Sequence, residues 1–164
     1  MTTARARSLR KTPPRVAPAR RDFDKAMIAL VCMGLMVAGY MTYSDLNSAS
    51  LVCGGLGDCD TAHASVYARL LGVPVSLLGL AGYAVVAALL GWRSRSQGDP
   101  AYLVRLAVLA VVLAGAVFSV YLTYIEFFVI HAVCPWCVVS AVVMVTLALF
   151  AALAVRRDLA DGRD

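Results

Sequence analysis

Two cysteine pairs carry the chemistry that this chain can do. Cys134 and Cys137 form Cys-Pro-Trp-Cys within AVCPWCVVS, and Cys53 and Cys59 bracket the string CGGLGDC. Cys134 is placed as the N-cap of a helix, and Pro135 suits the first helical position, where its missing N–H costs nothing. The unpaired amides and the positive dipole end there favour a thiolate, which makes the pair easy to reduce and re-oxidise. A purely structural disulfide gains nothing from that placement. Three glycines in the five residues between Cys53 and Cys59 leave the loop pair able to swing. A mobile pair over a fixed pair suits thiol–disulfide exchange through a mixed disulfide. A loop-stapling bridge and an all-thiolate zinc site are the alternatives, but Cys-x5-Cys is looser than finger spacing and no metal ligand is assigned.

The elements that must position these sulfurs are membrane spans. The chain has 164 residues, 61% of them hydrophobic, and a mean hydropathy of +0.78, far above a soluble domain. Four apolar runs, at 26–46, 73–92, 102–129 and 135–155, are each about as long as the ~20 residues a helix needs to cross a bilayer core. The expected fold is an all-α integral membrane four-helix bundle over residues 26–155. A basic, proline-containing tail at 1–25 is expected to be disordered, and 156–164 form a second tail. The first run is too long for a signal h-region and lacks a small-residue cleavage site.

The positive charge follows topology, which excludes a nucleic-acid reading. Eight of the fifteen Lys and Arg residues precede the first span, Arg93 and Arg95 lie between the second and third, and Arg156, Arg157 and Arg163 follow the fourth. With only Arg69 on the other side, the positive-inside rule puts both termini in the cytoplasm and all four paired cysteines outside, where disulfides persist. The segment DTAHASVYARLLG, capped by Asp60 or Thr61 and ended by Gly72, is expected to be an amphipathic half-helix lying on the membrane as a lid.

Taken in order, four spans, Cys-x5-Cys followed by a half-helix and GVPVSLLGLAGY, then FSVYLTYIEFFVIHAVCPWC, resemble the bacterial homologues of vitamin K epoxide reductase over about 27–155. The resemblance implies a bundle whose outer end holds a quinone, menaquinone or ubiquinone. It also implies a secreted or periplasmic thioredoxin-like partner, a DsbA-like oxidase, that is re-oxidised to drive disulfide formation. By motif position, Cys53 and Cys59 would be the shuttle pair, Cys134 would exchange with them through Cys59, and Cys137 would sit nearest the quinone. Ser65 matches a position whose hydroxyl steadies the reaction centre. Animal members carry a tyrosine where this chain has Ala141, so epoxide reduction is not implied, and no fused thioredoxin domain follows before Asp164.

Several residues have plainer readings. Cys32 reads as a small core hydrophobe. His63 and His131 read as interfacial packing, with acid–base work as the alternative, and Glu126 as a solvated or hydrogen-bonded boundary residue, with proton delivery as the alternative. Tyr121, Tyr124, Phe128 and Trp136 could line the quinone pocket, with Phe127 and more weakly Phe118, or could form an aromatic belt. Gly34, Gly39, Gly79, Gly82 and Gly115 read as close helix contacts. The competing functions are a DsbB-type oxidase, which has the two cysteine spacings in the reverse order, and a non-catalytic membrane scaffold with stapled loops. In reduced whole cells a membrane-impermeant maleimide should label both Cys53 and Cys137; labelling of one alone would overturn the shared face.

Overall fold

The computed structural model describes residues 18–47, 49, 53, 58–93 and 99–160. Four long helices dominate: α1 (Pro18–Asn47), α3 (Val75–Arg93), α4 (Asp99–Ile125) and α5 (Pro135–Ala160), with the short α2 (Cys59–Ala64) between α1 and α3. The stretches Phe23–Asn47, Val75–Arg93, Tyr102–Ile130 and Pro135–Arg157 have the length and hydropathy to cross a membrane. The chain is thus an all-α, multi-pass membrane protein. Its outward surface agrees: Met36, Val117, Val142 and Leu149 are each at least 60% exposed, apolar area that lipid accepts and water would not.

Each long helix packs on two neighbours, α1 on α3 and α5, and α4 on α3 and α5. The core of the bundle is built from Met27, Val31, Tyr83, Val86, Val112, Val143 and Leu147. Tyr83 is fully buried, and its hydroxyl donates to Ser140 O at 3.0 Å. That partner is what makes a phenol tolerable there, because an unbonded hydroxyl in apolar surroundings is costly. A Cβ at Gly34 would lie 2.2 Å from the Tyr83 ring, so α1 and α3 approach only because this residue has no side chain. Gly115 meets Met144 in the same manner. Gly39, Gly79 and Gly82 do not: a Cβ on any of them would meet nothing within 4 Å. The expected close contact is therefore wrong for these three, and two of them reappear below as the wall of a cleft.

At the end away from the paired cysteines, the bundle is closed by an Asp24–Arg93 ion pair, by the Phe23 and Phe150 rings at 4.9 Å and by Arg157 over Phe23 at 5.2 Å. Helix α1 begins at Pro18, so residues 18–25 are helical where a disordered tail was expected; residues 1–17 and 161–164 lie outside the described residues. Cys32 is exposed on the bundle surface instead of packed in its core.

The expected half-helix over the lid segment is shorter and starts earlier. Asp58, and neither Asp60 nor Thr61, caps α2, which ends at Ser65. A single 3-10 turn (Val66–Ala68) and a two-stranded hairpin follow, β1 (Arg69–Leu70) pairing antiparallel with β2 (Val73–Pro74). Leu71 and Gly72 take positive φ, 53° and 84°, the twist a two-residue hairpin turn demands. Gly72 thus serves a hairpin and terminates no helix.

Gly34→Ala should destabilise the detergent-solubilised protein by roughly 1–3 kcal/mol through overpacking against Tyr83, read by thermal unfolding. Gly39→Ala should be neutral or stabilising by up to about 1 kcal/mol.

Candidate functional site

The cysteine end is assembled from four elements. In the loop, Asp58 accepts from Thr61 N at 3.1 Å and from Thr61 Oγ1 at 2.7 Å, and these two bonds hold its carboxyl below the usual range. The cap starts α2 at Cys59, which is buried and disulfide-bonded to Cys53. The hydroxyl of Ser65 donates to Ala62 O at 2.7 Å and so closes the other end of this short helix.

The approach to α5 is shaped by a wider turn. After Ile125 the chain makes one π-helical turn (Glu126–Ile130), and His131 then adopts a left-handed conformation with φ 56°. The Ala132 N–H donates to Glu126 O at 3.2 Å. Such turns add a residue to the spiral and redirect side chains. Here Glu126 points inward. Only 6% exposed, it accepts the Cys134 N–H at 3.1 Å, so of the two expectations for this boundary residue it is the hydrogen-bonded one that holds. Helix α5 starts at Pro135, and Val138 N donates to Cys134 O at 3.1 Å. Cys134 is therefore the N-cap, with its own N–H satisfied by a carboxylate.

These pieces meet. Cys59 and Cys134 are core members of one apolar cluster with Val37, Met41, Ala62 and Ala132, and Cys53 and Cys137 pack against it. The Asp58 N–H donates to Val133 O at 3.2 Å, a backbone bond between the residues just before Cys59 and just before Cys134. Cys134 and Cys137 are free thiols.

His63 stands over both of them. Its Nε2 lies 3.8 Å from Cys134 Sγ and 3.9 Å from Cys137 Sγ. Its Nδ1 is 2.7 Å from Asp45 Oδ1, and Ser76 Oγ donates to the other oxygen of that carboxylate. Burial disfavours the imidazolium, but the bonds to Cys134 and Asp45 and the negative charge of both lift His63 to about 9. The Cys134 thiol is pulled down to about 5 by its hydrogen bond to Cys137, against burial, with the bond and charge of His63 adding to it. The three donor atoms lie within 4.8 Å of one another. No motif announced Asp45 or Ser76; the only signal was an acid in the last turn of an apolar run.

Two connected clefts open beside these groups. The smaller, about 430 Å³, is lined by Asp45, His63, Ser65, Ser76, Glu126 and Cys137, among others. The larger, about 820 Å³, shares Ser76, Glu126 and Cys137 and runs between the helices along Gly79, Gly82, Phe118 and Leu122. Tyr121, Tyr124 and Phe128 are more than half exposed, the rings of the latter two tilted against each other at 4.8 Å, and Trp136 packs edge-on against Tyr40 at 5.3 Å. None of the four lines these two clefts: Tyr121, Tyr124 and Phe128 face outward, and Trp136 packs on the cysteine cluster. Of the aromatics singled out in the sequence for a quinone pocket, Phe118, the one with the weakest claim, lines the larger cleft.

A profile of the vitamin K epoxide reductase family matches residues 25–152. The chain belongs to that family. The match runs from α1 into α5 and includes all four paired cysteines. The protein is accordingly a membrane oxidoreductase of the disulfide-forming kind. Glu126→Ala should strip the buried Cys134 N–H of its acceptor and lower stability by about 1–3 kcal/mol. Glu126→Gln, which keeps an acceptor, should lose less; equal losses in thermal unfolding would count against the bond.

Proposed function

We propose that this protein re-oxidises a secreted thioredoxin-like partner and passes the electrons to a membrane quinone. The observation that carries this reading is that both cysteine pairs join one buried cluster while Cys137 also forms part of the wall of a large apolar cleft. The same reading puts the protein in a bacterial cytoplasmic membrane, with both termini inside and the cysteines facing out, as the distribution of Lys and Arg supports.

The order of thiol exchange follows from accessibility. Cys53 is partly exposed and Cys59 is buried beside Cys134. A partner thiolate attacks the Cys53–Cys59 disulfide at Cys53, releasing Cys59 as a thiolate, and a second partner thiol resolves the mixed disulfide. Cys59 then attacks Cys134 of the oxidised pair, which releases Cys137; Cys53 attacks Cys59 and releases Cys134. Each exchange breaks one S–S bond and forms another, so two electrons move from loop to helix with no net change in sulfur bonding.

The larger cleft fits a flat, apolar ring. Glycines at 79 and 82 leave space that a Cβ would fill, and Ser76, Glu126 and Tyr83 supply the few polar groups that orient a ligand. Cys137, Ser76, Gly79, Gly82, Phe118 and Leu122 would hold it. A bound quinone supplies the two-electron acceptor that returns Cys134 and Cys137 to a disulfide.

Purified protein mixed with reduced thioredoxin-like partner and a soluble menaquinone or ubiquinone analogue should accumulate oxidised partner and quinol, and Cys137→Ser should abolish it. Gly82→Leu, which fills the cleft, should cut quinone turnover tenfold or more and leave single-turnover exchange with the partner unchanged. No quinol from the wild-type protein would overturn the reading.

A further inference from the structure

We propose that His63, oriented by Asp45, is a catalytic residue of the thiol exchange: its Nε2 faces both sulfurs of the Cys-x-x-Cys pair and stabilises Cys134 as a thiolate. This rests on the relay just described and adds to it a residue that the cysteine motifs do not contain.

The geometry is specific. An imidazole has two nitrogens, and fixing one fixes what the other can do. Asp45 comes from the last turns of α1 and is itself held by Ser76 of α3, so Nδ1–H is committed to a carboxylate at 2.7 Å. Nε2 is left aimed at sulfurs that are nearly equidistant, 3.8 and 3.9 Å away. The six-residue α2 carries both Cys59 and His63, four positions apart and so on one face of the helix. The loop that brings the attacking sulfur therefore also brings the cation that receives the leaving one.

The groups facing His63 are Asp45 from α1, Cys134 and Cys137 from α5 and Glu126 from the π-helical turn. The two carboxylates and any sulfur anion all favour a protonated ring. Proton bookkeeping is simple: when Cys134 is a thiol, its proton passes to Nε2 and leaves an imidazolium–thiolate pair. When Cys53 attacks Cys59 in the mixed disulfide, the Cys59–Cys134 bond breaks and Cys134 takes the electron pair beside a positive charge already in place. A stabilised leaving thiolate departs faster. With Cys134 near 5 and His63 near 9, the ion pair persists between those pH values.

The test is the pH dependence of iodoacetamide alkylation at Cys134, read by peptide mass spectrometry on the fully reduced, full-length protein in detergent. The wild type should reach its plateau by about pH 6, one unit above the Cys134 midpoint of about 5. His63→Gln should move the midpoint upward by about two units, so that only about a tenth of the thiol is ionised at pH 6 and alkylation there slows roughly tenfold. Asp45→Asn should shift it the same way by less. The double variant should shift it no further than His63→Gln alone, because Asp45 is a positioning residue that acts through the ring.

Thermal unfolding checks that each variant is folded, and Asp45→Asn keeps the question open to refutation if His63→Gln fails to fold. An unchanged midpoint in a folded variant, or additive shifts in the double variant, would overturn the assignment. The assay uses neither partner nor quinone. Loss of the wild-type relay would therefore leave this result standing, and a flat titration would leave the relay intact.

Discussion

One backbone hydrogen bond, from Asp58 N–H to Val133 O, sets the relation between the two sulfur pairs. It ties a glycine-rich loop to the lead-in of the last span, one residue before a cysteine on each side. The Asp58 cap fixes where α2 starts, and with it the buried position of Cys59. Burial of Cys59 and Cys134 among Val37, Met41, Ala62 and Ala132 then excludes water from the place where sulfurs exchange.

The membrane explains why this end is built as it is. Within lipid, every polar group needs an internal partner, and the structure supplies them in sequence. Tyr83 finds Ser140, Cys134 N–H finds Glu126, and Asp45 is shared by His63 and Ser76. The polar chain from Ser76 through Asp45 and His63 to the sulfurs follows the boundary between bundle and loop, while the larger cleft beneath is mostly apolar. Cys137 belongs to both regions, since it lies beside His63 and also lines the larger cleft.

The spans were legible because lipid demands long, uninterrupted apolar runs, and the Cys134 cap was legible because proline at the first helical position is a strong local signal. The lid was not. Gly72 reads as a helix stop, but Ser65 ends α2 through bonds to Ala62 O, and Leu71 enters the left-handed region against its own preference because the two-residue hairpin turn requires it. Glycine spacing could not separate Gly34, pressed on a ring, from Gly82, facing empty space, since both recur at helical positions. Asp45 and His63 lie eighteen residues apart on different elements, and no local pattern links them. The exposed Tyr121, Tyr124 and Phe128 show the same limit: aromatic composition marked the right depth but not the inward face.

The central claim is that Cys59 and Cys134 are close enough to bond without rearrangement of the helices. The Cys53→Ser, Cys137→Ser double variant, oxidised gently and mapped by non-reducing peptide mass spectrometry, should yield a Cys59–Cys134 disulfide in nearly every molecule. Two persistent free thiols at those positions in a folded protein would contradict the account.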